Sequence, residues 1–536
     1  MAAPSAHRTT IPRWARVELN LESTTRFQNP LQEARLVAHV ITPTKQEREV
    51  EGFWDGGATW KIRFAPDEVG DWQVELFLLK TNGEVVQSAT AGFVCRMASG
   101  ETPFERHGPV RLAANKRHLE HTDGTPFFWL ADTAWNGPLR ATDDEWAHYL
   151  QERQRQRFSV VQWVATQWRA APEGDIEAQM AFSGKEQIRI NPSFFQRMDR
   201  QVKAIARAGL LSSPVLLWAI GAGANPTIDP GFGLPEDQAI LLARYMVARW
   251  SAYPVVWILA GDGKYVGSYA ERWRRIGRAV FGDQPHAPVI MHCGGQQWPA
   301  EEFRHEPWLD ILGYQSGHGD SDETLRWIVD GPPAREWTVE PRLLQINVEP
   351  AYENHLAYQS RQPHSPVSVR RAMYWSLLNA PTAGVTYGGH GVWGWDDGRA
   401  PSVDHPNSGV PLPWRKALTM PAAQQMVHLA ALFSTLDWWR LRPTPVLVAN
   451  QPGQTDVGRT ILAAQSERGD LAVAYIPQGG PVTIRTSTLQ PNLTATWFNP
   501  RTGERTAIGP VQPNQAARFE TPDAEDWLLV LTKEGR

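Results

Sequence analysis

Between residues 115 and 432 the chain alternates short apolar runs with amphipathic stretches of helical period, and no other feature limits its fold so strongly. The runs are F-F-W-L-A-D (127–132), S-V-V-Q-W-V (159–164), P-V-L-L-W-A (214–219) and V-V-W-I-L-A (255–260). They continue with P-V-I-M-H (288–292), I-L-G-Y (311–314), L-L-Q-I-N-V (343–348) and G-V-T-Y (384–387). Helical periodicity marks 143–157, 193–208, 236–250, 268–281, 367–378 and 421–432. Strands that are apolar on both faces and separated by helices belong to a parallel sheet, and eight of them fit a closed (β/α)₈ barrel better than an open sheet. No G-x-G-x-x-G follows any of them, which removes the main support for a dinucleotide site.

The flanks have a different period. Residues 14–97 show two-residue alternation in R-V-E-L-N-L (16–21), A-R-L-V-A-H-V (34–40), T-W-K-I-R-F (59–64) and D-W-Q-V-E-L-F-L (71–78). Turn residues at 54–57, 66–70 and 81–83 break the runs, as in a β-sandwich. Residues 97–109 read as a linker. Alternation returns after 443 in P-V-L-V-A (445–449), L-A-V-A-Y-I (471–476), V-T-I-R-T (482–486), A-T-W-F (495–498) and D-W-L-L-V-L (526–531). The expected architecture is therefore α/β: a TIM barrel over 101–442, flanked by two small all-β sandwiches at 1–100 and 443–536.

Composition narrows the function. With 53 basic and 57 acidic residues the net charge is −4, and the interspersed charges argue against a nucleic-acid or anionic membrane surface. No apolar stretch is long enough to span a bilayer. The opening residues lack the apolar core of a leader, so the chain as written reads as cytoplasmic; a chain trimmed of its leader would read the same and would act outside the cytoplasm. The two cysteines, Cys95 and Cys293, cannot form a disulfide framework and have no C-x-x-C spacing. Tryptophan is abundant, at 25 residues. Trp54, Trp60, Trp72 and Trp497 fall in the β-domains and read as core.

In a parallel barrel the chemistry collects at the C-terminal ends of the strands. There the sequence places Asp132 and Trp135, Trp163 and Trp168, Trp218, Asp262, His292, Tyr314 and His318, Glu349 and Glu353, then His390, Trp393 and Trp395. Flat aromatics beside carboxylates suit a sugar cleft, where rings stack on C–H faces and carboxyl groups move protons or attack carbon. Asp262 follows the fourth strand and Glu349 the seventh, positions that converge across the mouth of a closed barrel. A retaining glycosidase needs its two carboxyls about 5–5.5 Å apart and an inverting one about 6.5–9.5 Å; sequence leaves that separation open. The apolar run before Asp262 suits it to the acid role, because burial favours a protonated carboxyl. Asp262 in Gly-Asp-Gly could equally be a turn former, and Asp132 could cap the next helix. His292, His318 and His390 lie on separate loops without H-x-H or H-E-x-x-H spacing, so hydrogen bonding to sugar hydroxyls is expected of them rather than metal binding.

Four segments carry a resemblance: D-G-T-P-F-F-W-L-A-D-T-A-W (123–135), V-V-W-I-L-A-G-D (255–262), N-V-E-P-A-Y-E (347–353) and G-V-T-Y-G-G-H-G-V-W-G-W (384–395). Together they resemble the apiosidase-like family of (β/α)₈ glycoside hydrolases. The N-terminal W-D-G-G and G-D-W are similar to the immunoglobulin-like domain that often precedes that barrel. The C-terminal W-F-N-P-R-T-G and D-W-L-L-V-L are similar to a collagen-binding-type β-domain. The resemblance implies that Asp262 is the acid/base and Glu349 the nucleophile, with Asp132, His390 and Trp393 lining the sugar subsite.

The expected function is thus hydrolysis of a glycosidic bond in a plant or microbial polysaccharide or oligosaccharide, with retention. Catalysis falls to Asp262 and Glu349. Substrate binding falls to Asp132, Trp135, Trp163, Trp218, His292, Tyr314, His318, His390, Trp393 and Trp395. No cofactor or metal is called for, the partner is carbohydrate, and oligomeric state is left open. Two alternatives stand beside this: a non-catalytic carbohydrate-binding barrel, and a polysaccharide lyase or metal-dependent hydrolase using the rim histidines.

Overall fold

Strands buried on both faces are satisfied only when side chains fill one side and helices cover the other. In the computed structural model, which describes residues 9–98, 100–221, 227–282, 285–513 and 515–533, the eight apolar runs close into a parallel barrel. Its strands are β1 (Trp129–Thr133), β2 (Val160–Val164), β3 (Leu211–Trp218) and β4 (Trp257–Gly263). They continue with β5 (Val289–Cys293), β6 (Ile311–Gln315), β7 (Leu344–Glu349) and β8 (Gly384–Gly388). Strand β8 pairs back onto β1, with Asp132 opposite Tyr387. Part of the Gly/Pro-rich loop after β3, residues 222–226, lies outside the described residues.

The helices form where the period indicated. Pro192–Arg207 buries Phe194, Phe195, Met198, Val202 and Ile205 along one face. Asp143–Arg155 starts at Thr142, whose hydroxyl accepts the Glu145 N–H while the Glu145 side chain caps in return. A further helix, Asp322–Asp330, lies between β6 and β7, where apolar spacing had given no sign of one. Strands β4 and β7 run further than the apolar runs do, so Asp262 and Glu349 lie inside the strand ends rather than after them.

The N-terminal flank stacks a five-stranded on a three-stranded sheet around Trp60, Trp72 and Phe93. One long strand, Val85–Arg96, escapes the alternation rule because most of it is exposed. The expected linker holds a short capped helix, Pro103–His107, before a three-stranded sheet that leads into β1. In the C-terminal flank a six-stranded and a two-stranded sheet enclose Trp497, Trp527 and Leu529. The expected strand at 445–449 is instead a 3₁₀ turn, Pro445–Leu447; Pro445 has no N–H to give a ladder.

Both flanks are tied to the barrel by buried charges. Arg63 of the N-terminal unit donates to Asp199 at 2.7 Å, and Arg249 of the barrel donates to Asp55 at 2.6 Å. At the other end Arg370 grips Asp526 with two hydrogen bonds of 2.9 and 2.6 Å.

Candidate active site

At the C-terminal rim a cleft of about 240 Å³ opens between the βα loops. Its walls include the rings of Trp135, Trp168, Trp218 and Trp393, and its floor carries both Asp262 and Glu349. Arg169, His318, Tyr352, His355, Tyr358 and His405 complete most of the lining.

Neither carboxylate reaches the cleft by strand alternation alone. On β7, Asn347 points outward and donates to Ser376 of the covering helix at 2.9 Å. Strict alternation would return Glu349 to that outer face. The ladder instead slips by one residue, pairing Tyr314 with Asn347 but Gln315 with Glu349, so Val348 is an extra residue and Glu349 turns into the mouth. The β4 ladder is irregular as well, with shifts on either side of Ala260, and Asp262 has φ +41°. A non-glycine residue rarely adopts that conformation, and it persists only where its surroundings hold it. Here the Asp262 N–H donates to Nδ1 of His292 at 3.1 Å.

His292 joins the two acids. Its Nε2 lies 3.3 Å from one oxygen of Glu349. His318 donates from Nε2 to the other oxygen at 3.1 Å, while its Nδ1 accepts the Tyr352 N–H at 3.3 Å. The carboxylates are driven apart electrostatically. Burial and the negative charge of Glu349 push Asp262 up to about 6. Burial also acts to raise Glu349, but the contacts with His292 and His318 outweigh it and hold this carboxyl well below the usual range. One acid is thus disposed to keep its proton near neutrality and the other to stay ionised, the division that acid and nucleophile require.

Seven of the sequence-derived residues meet in this cleft: Asp262, Glu349, Trp135, Trp168, Trp218, His318 and Trp393. His292 sits directly behind Glu349, fully buried. Five others do not line it. Asp132 faces the outside of β1, where Tyr149 and Arg153 donate to its carboxylate at 2.6 and 2.7 Å. Trp129 and Thr133 take the inner face by alternation, and Trp129 donates to Thr386 of the adjacent strand β8. Trp163 also points outward, onto Ser212 and Trp250, because Gln162 takes the inner position and bonds Val348 and Thr386. Tyr314 packs outward on Trp298 and Trp327. His390 is buried, its Nδ1 on the Asn354 carbonyl, and Trp395 stacks on Trp414 at 4.1 Å.

Sequence reasoning passed over Arg169, His355, Tyr358 and His405. All four lie in loops after β2, β7 and β8, which was the available signal; their distance from the strand ends concealed them. Glu353 is not a catalytic competitor, since its carboxylate accepts the N–H groups of Ala422 and Ala423 and the Tyr387 hydroxyl. Among the described residues no three His, Cys, Asp or Glu side chains are disposed to hold a metal ion, and no helix is long and apolar enough to cross a membrane.

Comparison with known proteins agrees with the fold. The family described as "Apiosidase-like, catalytic domain" matches residues 113–440. A domain family of unknown function, DUF5060, matches 10–77, and "Putative collagen-binding domain of a collagenase" matches 443–532. No curated protein matches. Among solved structures, one described as a glycoside hydrolase is 22% identical with a TM-score of 0.70, covering 82% of this chain and 99% of its own. A glycoside hydrolase family 5 structure from Bacteroides vulgatus ATCC 8482 is 21% identical with a TM-score of 0.70, covering 81% of this chain and 95% of its own. At these identities the likeness is one of fold.

Proposed function

The chain belongs to the apiosidase-like family of glycoside hydrolases, and on that premise we propose that it cleaves a glycosidic bond of a plant or microbial polysaccharide or oligosaccharide with retention. Glu349 attacks the anomeric carbon while Asp262 gives its proton to the departing oxygen. Asp262, now ionised, then takes a proton from water, and that water releases the sugar from Glu349. The observation that carries this reading is the pair of carboxyls that line one aromatic cleft with His292 set against both. Trp135, Trp168, Trp218 and Trp393 supply stacking faces. The indole N–H groups of Trp218 and Trp393, buried with no partner among the described residues, are free to meet sugar hydroxyls.

A panel of aryl glycosides against wild type, Glu349→Ala and Asp262→Ala tests the assignment. Loss in both variants is expected, with azide restoring turnover of Glu349→Ala and giving a glycosyl azide of inverted configuration. Full activity in either variant overturns it. The Asp262→Ala loss should be largest for phenyl glycosides and smallest for dinitrophenyl glycosides, whose leaving groups need little proton assistance.

A further inference from the structure

We propose that His292 and His318 are positioning residues for Glu349, two neutral imidazoles whose tautomer is set by main-chain N–H groups so that each presents an Nε2–H to one carboxylate oxygen. A neutral imidazole has one donor and one acceptor nitrogen, and the group facing one nitrogen decides the role of the other. For His292 that group is the Asp262 N–H at 3.1 Å, and for His318 it is the Tyr352 N–H at 3.3 Å. Both Nδ1 atoms must therefore be bare, and both protons sit on Nε2. Protonating either ring would place an N–H against an N–H in a buried site, which leaves a donor unpaired. Nε2 of His318 is hydrogen-bonded to one oxygen of Glu349 at 3.1 Å, and Nε2 of His292 lies 3.3 Å from the other, in close approach but outside hydrogen-bond geometry.

Two rigid rings held this way, one hydrogen-bonded to Glu349 and one set close against it, do more than screen a charge. They fix the plane of the carboxylate about its last bond and leave its remaining lone pairs for the cleft. His292 is fully buried and lines no part of the cleft wall, so a sugar hydroxyl cannot take its place. It also anchors the left-handed backbone of Asp262, so one ring sets the positions of both acids. The other ionisable groups around Glu349 are Asp262 from β4, Arg169 from the β2 loop, Tyr352 and Tyr358 from the β7 loop, and His405 from the β8 loop. His318 is backed by the ring of His355 at 4.2 Å, which burial keeps neutral.

This inference rests on Glu349 as the nucleophile, and its first test needs no substrate. In protein labelled with 15N-histidine, His292 and His318 should both show a bare Nδ1 and a protonated Nε2. An Nδ1–H tautomer at either ring overturns the proposal. The second arm uses His318→Gln, whose amide nitrogen reaches the Nε2 position, and His318→Phe, which keeps only the ring. In protein labelled with 13C-glutamate, the Glu349 carboxyl, identified by its loss in Glu349→Gln, should titrate at least about one pH unit higher in His318→Phe and near the wild-type value in His318→Gln. On an aryl glycoside, kcat should fall at least about tenfold in the Phe variant with KM little changed, and the Gln variant should recover most of it. A raised KM with unchanged kcat and an unmoved Glu349 titration assigns His318 to the sugar and refutes the proposal. If Glu349→Ala remains fully active, the nucleophile assignment fails on its own while the tautomer result stands.

Discussion

Replacing Glu349 by Gln removes one negative charge beside Asp262 while keeping the shape of the side chain. At the separation of about 5.5 Å that retention requires, and with an effective dielectric constant of about 20, that charge is worth about 3 kcal/mol to a neighbouring carboxylate. This converts to about two pK units, comparable to the whole rise of Asp262 from 3.8 to about 6. Burial, the larger cause, remains in the variant, so Asp262 should fall by roughly one to two units and not below the ordinary range. Titration of 13C-aspartate-labelled wild type and Glu349→Gln reads this directly. The kinetic counterpart is an alkaline limb in kcat/KM for a phenyl glycoside. The proton donor is present below its pKa and lost above it, so the rate should hold below pH 6 and fall tenfold per unit beyond. An Asp262 titration that does not move in Glu349→Gln, or a rate flat between about pH 5 and 8, refutes the electrostatic coupling on which the acid assignment depends.

The same raised pKa has a stability consequence. The unfolded chain ionises Asp262 near 3.8 and the folded one near 6, so the cost of ionising it is complete above pH 6 and absent below 3.8. Asp262→Asn should therefore stabilise the protein by up to about 3 kcal/mol above that window and by nothing below it, as denaturant titrations at two pH values will show. Asp132→Ala should destabilise by about 3–5 kcal/mol, because it leaves Arg153 buried without its counter-charge, and should leave KM of the folded fraction unchanged. Asp199→Ala, which takes one carboxylate from both Arg63 and Arg249 and leaves them Glu18 and Asp55, should lower the thermal midpoint by loosening the N-terminal sandwich from the barrel. Trp393→Ala should raise KM for aryl glycosides about three- to tenfold, whereas Trp163→Phe should leave kinetics unaltered and show only a stability change.

Much of this molecule is legible along the chain because burial imprints a period on local polarity. Eight apolar runs separated by helical stretches dictate a parallel barrel, and two-residue alternation on either side dictates sandwiches. Capping at Thr142 and the apolar face of Pro192–Arg207 are equally local. Strands that escape, such as Val85–Arg96, are buried only near one end, at Phe93 and Cys95, and therefore carry little period.

The site is legible only to the level of the rim. Position after a strand identifies Asp262, Glu349, Trp135, Trp218, His318 and Trp393, but also draws in Asp132, Trp163 and Tyr314, which the inward–outward alternation of β1, β2 and β6 turns away. That parity depends on which residue enters the barrel first, and the neighbouring strand sets it. Glu349 shows the opposite case. By parity it belongs outside, and the slip between Tyr314–Gln315 and Asn347–Glu349 brings it in. A bulge is a relation between two strands that lie about thirty residues apart in the chain, and so is the imidazole of His292 that serves Asp262 and Glu349 together. The sequence by itself determined the architecture and which carboxylates were available, because side-chain polarity and spacing are local properties. The tertiary structure alone decided which of them face one another and with what charge, because strand register, burial and hydrogen-bond partners exist only once distant segments meet.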